Sequence, residues 1–226
     1  MKTTLIEPQY KVDFVPLGDC ALLVRWPERI DMEINRQVHL LAERIEQHPF
    51  TGWTECIPGY STLVIVYAPE LAGYADVRRS VQAEMAGRAA RTAIQRELIC
   101  IPVVYGGDEG PDLEGLAREC GLSPGEVVDI HCSSVYQVYM IGFLPGFPYL
   151  GKVDSRIAAP RLNTPRVRVP AGSVGIAGEQ TGIYPCDSPG GWRIIGRTEA
   201  VLFDALREVP CLLQPGDRVM FEAVKR

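Results

Sequence analysis

A basic, glycine-rich segment in the second half of the chain has the residues best suited to chemistry. From residue 152 to residue 197, seven basic residues outnumber three acidic ones, which gives the segment a net charge of +4 in a chain of net charge −5. Guanidinium groups and exposed backbone N–H groups both bind carboxylates and phosphates. The segment predicts a site for a small anionic ligand, with a solvated surface or a protein interface as the alternative. Its basic residues are Lys152, Arg156, Arg161, Arg166, Arg168, Arg193 and Arg197.

Two glycine turns in this basic segment could offer backbone N–H groups to an anion or to a developing oxyanion. They are Gly172-Ser173 and Gly190-Gly191. Two hairpin turns would explain the same residues as well. Ser173 is not predicted as a nucleophile, because it directly follows its glycine and so does not fit the G-x-S-x-G pattern.

Residues 146–152 match the letters G-x-x-x-x-G-K of a phosphate-binding loop. Val153 stands where a Ser or Thr would hold magnesium, proline lies inside the loop, and no helical pattern follows. We therefore do not predict phosphate binding by this loop.

His131 is the histidine with a candidate chemical role. It is predicted between a helix and a strand, just before Ser133-Ser134, where an imidazole could act as a general acid or base near neutral pH. A capping or core hydrogen bond is the alternative. The three histidines are dispersed and form no H-x-x-x-H pair, so no metal site is predicted.

The composition is typical of a globular protein. The 226 residues are 46% hydrophobic and 23% charged, and the pI near 5.3 argues against a general nucleic-acid or membrane-surface binder. Seven scattered cysteines without a C-x-x-C pair predict neither a disulfide framework nor a zinc site. No run resembles a signal peptide or a membrane span. We expect a cytoplasmic protein with reduced thiols.

The first part of the chain predicts an α/β domain over residues 1–92. An amphipathic helix begins at Asp31 and ends near His48-Pro49, and a second helix is predicted at 74–91. The succession of strand, helix, two strands, helix and strand is the split β-α-β pattern of a ferredoxin-like unit. The predicted strands are Tyr10–Val15, Ala21–Trp26, Trp53–Ile57, Thr62–Ala68 and Leu98–Val104.

The second part predicts a β-rich domain over residues 93–226, after an arginine-rich linker near residues 86–97. Two short helices come first, and the second opens with a capping box of Ser123 and Glu126 around Pro124. Between Gly142 and Gly196 stand 10 of the 22 glycines and 7 of the 18 prolines, interleaved with short β-branched runs. This pattern is typical of a small barrel or sandwich with tight turns.

Five ordered motifs in the second part form a family signature. They are Ile141–Gly151 (IGFLPGFPYLG), Arg168–Gly178 (RVPAGSVGIAG), Gln180–Pro185 (QTGIYP), Ser188–Trp192 (SPGGW) and Ile195–Thr198 (IGRT). Together they resemble the signature of the allophanate hydrolase subunit 1 family, which is also called KipI or the 5-oxoprolinase B subunit (PxpB). Gly18–Val24 and Ile101–Gly107 are similar to further landmarks of that family, so the resemblance covers nearly the whole chain. Lys152 departs from it, because members often have a second glycine there.

The resemblance implies an α+β fold with an N-terminal ferredoxin-like α/β domain and a cyclophilin-like β-barrel. It implies one subunit, inactive alone, of an ATP-dependent 5-oxoprolinase that hydrolyses 5-oxo-L-proline to L-glutamate. The implied partners are a C-type barrel protein and a LamB/YcsF-type A subunit. ATP, with or without magnesium, would be bound by the complex rather than by this chain alone. The alternatives are a KipI-type inhibitor of a sensor histidine kinase and a component associated with allophanate hydrolase or urea carboxylase.

The resemblance also suggests roles for the basic segment, because 5-oxoproline and phosphate are both anions. We expect three arginines to bind the anion, four turn residues to offer backbone N–H groups, and one histidine to transfer a proton. These residues are Arg166, Arg168 and Arg193, then Gly172, Ser173, Gly190 and Gly191, and finally His131.

Overall fold

The computed structural model describes residues 10–86 and 98–225, and it has the α+β class that the sequence predicts. The chain divides into two units, Met1–Ala93 and Ile94–Arg226, and each has a hydrophobic core. Beyond Ala86, the linker predicted near residues 86–97 and the end of the helix predicted at 74–91 lie outside the described residues. The domain boundary at residue 92 stays a prediction.

The described part of the first unit consists of β1 (Asp13–Pro16), β2 (Ala21–Arg25), α1 (Met32–Gln47), β3 (Trp53–Pro58), β4 (Thr62–Tyr67) and α2 (Tyr74–Ala86). Its strands form one sheet in the order β1-β2-β4-β3. Both β2 and β3 pair antiparallel with β4, so they run parallel to each other on either side of it. Because α1 connects β2 to β3, the predicted split β-α-β arrangement is confirmed.

The strand predicted to close this first sheet lies elsewhere. The strand that begins at Leu98 belongs to the second unit, and β1 takes the edge position beside β2 instead. Strand β1 pairs with β2 from Asp13↔Arg25 to Pro16↔Leu22. The edge of β2 is therefore already occupied, so the Leu98 strand cannot pair there.

Helix α1 confirms its sequence prediction. The Asp31 side chain accepts hydrogen bonds from the N–H groups of Glu33 and Ile34, which satisfies donors at the helix start. The apolar stripe lies fully or nearly fully buried against the sheet, and burying each such side chain contributes roughly 1.5–3 kcal/mol. The stripe consists of Ile34, Val38, Leu41 and Ile45.

The second unit consists of β5 (Leu98–Tyr105), α3 (Leu113–Cys120), α4 (Pro124–Ser133), β6 (Tyr136–Ile141), β7 (Pro148–Gly151), β8 (Arg166–Val169), β9 (Ser173–Ala177), β10 (Gln180–Ile183), β11 (Ser188–Gly190), β12 (Arg193–Arg197) and β13 (Arg218–Ala223). Seven strands close a barrel in the order β10-β7-β6-β13-β5-β12-β9, because β9 also pairs with β10. Strands β8 and β11 form a separate two-stranded sheet. The predicted barrel and the capping box of α4 are confirmed.

A second, smaller cluster of buried residues attaches β8 to the barrel. Val169 of β8 packs there with Ile194 of β12 and with three aromatic residues, Phe147, Tyr184 and Trp192. The aromatic rings meet edge to face, with centroids 5.1 Å apart for Phe147 and Tyr184 and 5.4 Å apart for Phe147 and Trp192. This packing fixes the arginines of β8 relative to β12. Within the described residues, no helix is both long and apolar enough to cross a membrane.

The turn before β9 predicts a strong dependence of barrel stability on Gly172. Gly172 has φ +80°, and a Cβ at this position would overlap the carbonyl oxygen of Thr198. Gly178 is a matched control, because its φ is +60° but no atom lies within 4 Å of its Cβ position. Both Gly→Ala changes place alanine in the left-handed region, at about 1–2 kcal/mol.

We therefore expect Gly172→Ala to lower the free energy of barrel unfolding by at least about 1 kcal/mol more than Gly178→Ala does. Hydrogen-exchange mass spectrometry of barrel peptides measures this difference. Equal losses in the two variants would contradict the overlap with Thr198.

Candidate functional site

A cavity of about 80 Å³ in the second unit brings together part of the predicted site. It is lined by Asp108, Glu109, Pro111, Arg166, Val169, Pro170, Ser173, Ile194 and Arg197. Arg166 and Ser173 were predicted from the sequence, and the structure adds Arg197, Asp108 and Glu109. Arg197 belongs to the basic segment and to the IGRT motif, which was the available signal for it. No motif identified the two acidic residues, which follow β5.

Arg166 lies at the start of β8 and is fixed by Asp112. Its Nη2 donates to Asp112 Oδ1 at 2.6 Å, and Asp112 Oδ2 accepts from the backbone N–H of Ile194 at 2.6 Å. The other terminal nitrogen of Arg166, Nη1, is buried and has no acceptor among the described residues. A buried donor without a partner costs about 1–3 kcal/mol.

A second arginine of the cavity wall is Arg197. Its Nε donates to the carbonyl oxygen of Ala171 at 2.8 Å, and its Nη1 lies 3.4 Å from Glu109 Oε2. Ser173 and Asp108 also line the cavity. The cavity wall therefore has positive and negative groups together, rather than the excess of positive charge that the sequence predicts.

The prediction that the arginines converge on one pocket is wrong for Arg193 and Arg168. Arg193 donates to both carboxylate oxygens of Glu119, at 2.8 and 2.9 Å, and its Nε donates to the carbonyl oxygen of Pro160. Arg168 is exposed and lies 2.6 Å from Asp187. The N–H of Ala171 and then Arg168 lower the pKa of Asp187. Neither arginine lines the cavity, because each is held by an acidic side chain elsewhere.

The predicted backbone donors are also used within the fold. The N–H of Gly172 donates to Tyr184 O at 2.7 Å, and the N–H of Ser173 donates to Pro170 O at 3.2 Å. These two groups are therefore not available to an oxyanion, and the hairpin alternative accounts for them.

Gly190 and Gly191 do not line the cavity either. Gly190 pairs with Arg166 in the two-stranded sheet, and a Cβ there would overlap the hydroxyl of Tyr184. The carbonyl of Gly191 accepts from the N–H of Leu162 at 2.7 Å. Close packing against Tyr184 explains the need for glycine at position 190 without a ligand.

His131 lies in the last turn of α4, not between a helix and a strand, and it is fully buried. The Thr181 hydroxyl donates to Gly175 O at 2.9 Å, so it accepts at 3.0 Å from His131 Nε2, which therefore has the proton. His131 Nδ1 then accepts from the Tyr105 hydroxyl at 2.7 Å. The imidazole stacks on Phe221, with centroids 4.5 Å apart.

Burial determines the charge of this imidazole. Desolvation lowers the pKa of His131 to about 3, because the charged form loses its hydration in the barrel core. Burial also raises the pKa of Tyr105. Of the two roles that the sequence left open for His131, this geometry favours a core hydrogen bond, and proton transfer stays a prediction.

Residues 146–152 match the letters of a phosphate-binding loop but do not have the structure of one. Residues 148–151 form β7, and no helix begins after them. Lys152 Nζ lies 3.1 Å from Glu179 Oε2. Among the described residues, no group of three His, Cys, Asp or Glu side chains is placed to hold a metal ion.

The neutral, buried His131 predicts a pH dependence of stability. Its folded-state pKa lies below the ordinary value of 6.5, so the unfolded chain binds a proton that the folded chain does not. This contribution to stability is lost as pH falls from about 6.5 toward 3. Between pH 7 and pH 5 we expect wild type to lose roughly 2 kcal/mol more unfolding free energy than His131→Gln.

Urea denaturation at the two pH values measures this difference. His48→Gln is the matched control, because His48 is an exposed histidine and its loss leaves the barrel intact. Parallel pH profiles for wild type and His131→Gln would contradict a buried, neutral imidazole.

Comparison with curated proteins shows similarity over nearly the full length. The chain is 46% identical over 215 residues to the 5-oxoprolinase B subunit of Bacillus subtilis (strain 168), covering 91% of this chain and 90% of that protein. It is 41% identical over 206 residues to the 5-oxoprolinase B subunit of Escherichia coli O157:H7, covering 91% and 93%.

Solved structures and family models agree with this similarity. The crystal structure of TTHA0988 superposes with a TM-score of 0.80 at 38% identity, and the match covers 91% of this chain. This chain spans 40% of the length of that protein. The family model described as carboxyltransferase domain, subdomain C and D, matches residues 12–213. The chain therefore belongs to this carboxyltransferase-domain family, as a relative of the 5-oxoprolinase B subunits that its motifs resemble.

Proposed function

We propose that this chain is the B subunit of an ATP-dependent 5-oxoprolinase, which hydrolyses 5-oxo-L-proline to L-glutamate. The observation that carries the proposal is the 46% identity to a 5-oxoprolinase B subunit over 91% of this chain and 90% of the relative. Similarity of that extent includes both units of the chain rather than a shared barrel alone. The cavity with Arg166, Arg197 and Ser173 is the proposed contact with the substrate.

The proposed partners are a C-type barrel protein and a LamB/YcsF-type A subunit. Two features support the need for further polypeptide. The cavity is small beside the roughly 300–1,000 Å³ of ordinary ligand pockets, so it encloses only part of a substrate. In TTHA0988 the region similar to this chain makes up 40% of a longer protein. We propose that the chain is inactive alone, and that it works in the cytoplasm, where its seven free thiols stay reduced.

Hydrolysis of a lactam needs an activated carbonyl, because the amide is stabilised by resonance, and ATP is the proposed source of that activation. The loop whose letters match a phosphate-binding loop does not fit the phosphates of a nucleoside triphosphate, because residues 148–151 form β7 and Lys152 Nζ lies 3.1 Å from Glu179 Oε2. We therefore assign ATP, with or without magnesium, to the complex rather than to this chain alone. The role proposed for this chain is to bind and orient the substrate.

Reconstitution tests the proposed function directly. This chain and its two proposed partners, the C-type and A-type proteins, are purified separately and combined, and glutamate released from 5-oxo-L-proline is measured with and without ATP. We expect release only from the complete mixture with ATP. Absence of glutamate from the complete, correctly assembled mixture would overturn the proposal.

Arg197 provides a test of the cavity within that complex. We expect Arg197→Gln to lower kcat/KM for 5-oxo-L-proline at least tenfold, because a charged group of the cavity wall is lost. Arg156→Gln is the matched control, since Arg156 is exposed, pairs with Asp154 at 2.8 Å and does not line the cavity. We expect its activity to stay within twofold of wild type. Equal activity of the two variants would exclude the cavity from the reaction.

A further inference from the structure

The connection between β12 and β13 contains a hairpin, residues 202–212, which we call the arm. Backbone hydrogen bonds of 2.9 Å join its two sides, from the N–H of Leu212 to Leu202 O and from the N–H of Asp204 to Pro210 O. The arm lies within residues 12–213, which match the family model. It does not line the cavity that contains Arg166 and Arg197, so it needs an explanation of its own.

The Asp204 side chain fixes the tip of the arm. Its Oδ1 accepts from the N–H of Leu206 at 3.0 Å, and its Oδ2 lies 3.3 Å from Arg207 Nε. The carbonyl oxygen of Asp204 also accepts from the N–H of Arg207 at 3.2 Å. These local contacts hold the turn in one shape and leave Leu206 96% exposed. An apolar side chain that is held in water in this way gains free energy when another surface covers it.

Leu206 is one of several exposed apolar residues in this part of the barrel unit. Phe143, in the connection between β6 and β7, is 62% exposed. Gly146 of the same connection lies against the arm, because a Cβ at Gly146 would be 2.7 Å from Phe203 Cβ. Single exposed apolar residues are ordinary, but a group of them marks an interaction surface. The others on or beside the arm are Val201, Val209 and Leu212.

The charges of the arm favour a protein as the partner. Its tip has two acidic residues, Asp204 and Glu208, and one basic residue, Arg207. Nucleic acids and anionic membranes bind surfaces with an excess of positive charge. An apolar tip with few charges instead suits an apolar groove of another protein.

The family to which the chain belongs indicates which protein this is. The family model describes subdomains C and D of a carboxyltransferase domain, and the letters imply further subdomains. TTHA0988 has room for them in one chain, because this chain spans only 40% of its length. The Bacillus subtilis relative does not, because the match covers 90% of it. In a protein of that length, a separate polypeptide must supply the further subdomains and be held by a noncovalent contact.

We infer that the arm is the docking surface for the polypeptide with the further subdomains, and that Leu206 inserts into an apolar groove of that partner. The identity of the partner as the C-type barrel protein rests on the proposed function. The docking surface is separate from the cavity, so changes in the arm alter assembly without removing a group from the cavity wall.

Calorimetric titration of the full isolated chain with the purified C-type protein tests the inference. We expect saturable binding by wild type and at least tenfold weaker binding by Leu206→Ser, because the central apolar contact is lost. Val167→Ser is the matched control, since Val167 is 91% exposed and lies on β8 rather than on the arm. We expect its affinity to stay within twofold of wild type. Wild-type affinity in Leu206→Ser, equal weakening in both variants, or no binding by wild type would overturn the inference.

Hydrogen-exchange mass spectrometry of the wild-type complex gives a second measurement that needs no variant. We expect slower exchange in peptides from residues 201–212 when the C-type protein is bound, and unchanged exchange in peptides from β8. Unchanged exchange in the arm would overturn the inference.

A second copy of this chain is the alternative occupant, and light scattering of the isolated chain tests for it. We expect Leu206→Ser and wild type to have the same molecular mass. A wild-type dimer that Leu206→Ser converts to a monomer would show that the arm binds another copy, and it would overturn the inference.

The inference and the proposed function fail in different experiments. If the C-type protein binds through Leu206 but the complete mixture releases no glutamate, the docking surface stands and the proposed enzyme does not. If the mixture is active but Leu206→Ser binds the C-type protein as wild type does, the proposed function stands and this docking surface does not.

Discussion

The Asp112 carboxylate is the interaction on which the cavity depends. One oxygen accepts from Arg166 and the other from the backbone N–H of Ile194, so a single side chain fixes β8 relative to β12. The N–H of Asp112 donates to Ile194 O as well, at 2.9 Å, which holds the start of α3 on the same strand. Hydrogen bonds to charged groups contribute about 1.5–3 kcal/mol each, and here they also set the position of a guanidinium. Without this carboxylate, the Arg166 guanidinium would lose the partner that sets its position.

Pairing of opposite charges decides which arginines remain available to a ligand. Arg193 is held by Glu119 and Arg168 by Asp187, so the positive charge of the basic segment is largely neutralised where it stands. Arg166 is different because it is largely buried, and its second terminal nitrogen, Nη1, is buried without an acceptor among the described residues. Ion pairs at the surface contribute little stability, but they remove donors from the set that a ligand can use. Local pairing therefore matters more here than net charge.

The barrel core has a polar centre that is satisfied internally. His131 hydrogen-bonds to Thr181 through one ring nitrogen and to Tyr105 through the other, and Phe221 stacks on the imidazole. A buried network with complete hydrogen bonds specifies one arrangement of the strands and helix that contribute to it. The same burial that makes the network stable keeps the imidazole neutral and separates it from the cavity.

Periodic and local patterns determined much of the fold. The stripe of α1 and the capping box of Ser123 and Glu126 depend only on residues three or four positions apart, so the sequence contains all that they need. The glycine and proline spacing predicted a barrel, and the ordered motifs identified the family. The tertiary structure alone decided that β1 rather than the strand at Leu98 borders β2, and that Arg197 joins Arg166 while Arg193 does not. Strand neighbours and ion-pair partners such as Arg193 and Glu119 lie far apart in the chain, so no local sequence pattern predicts which residues will meet.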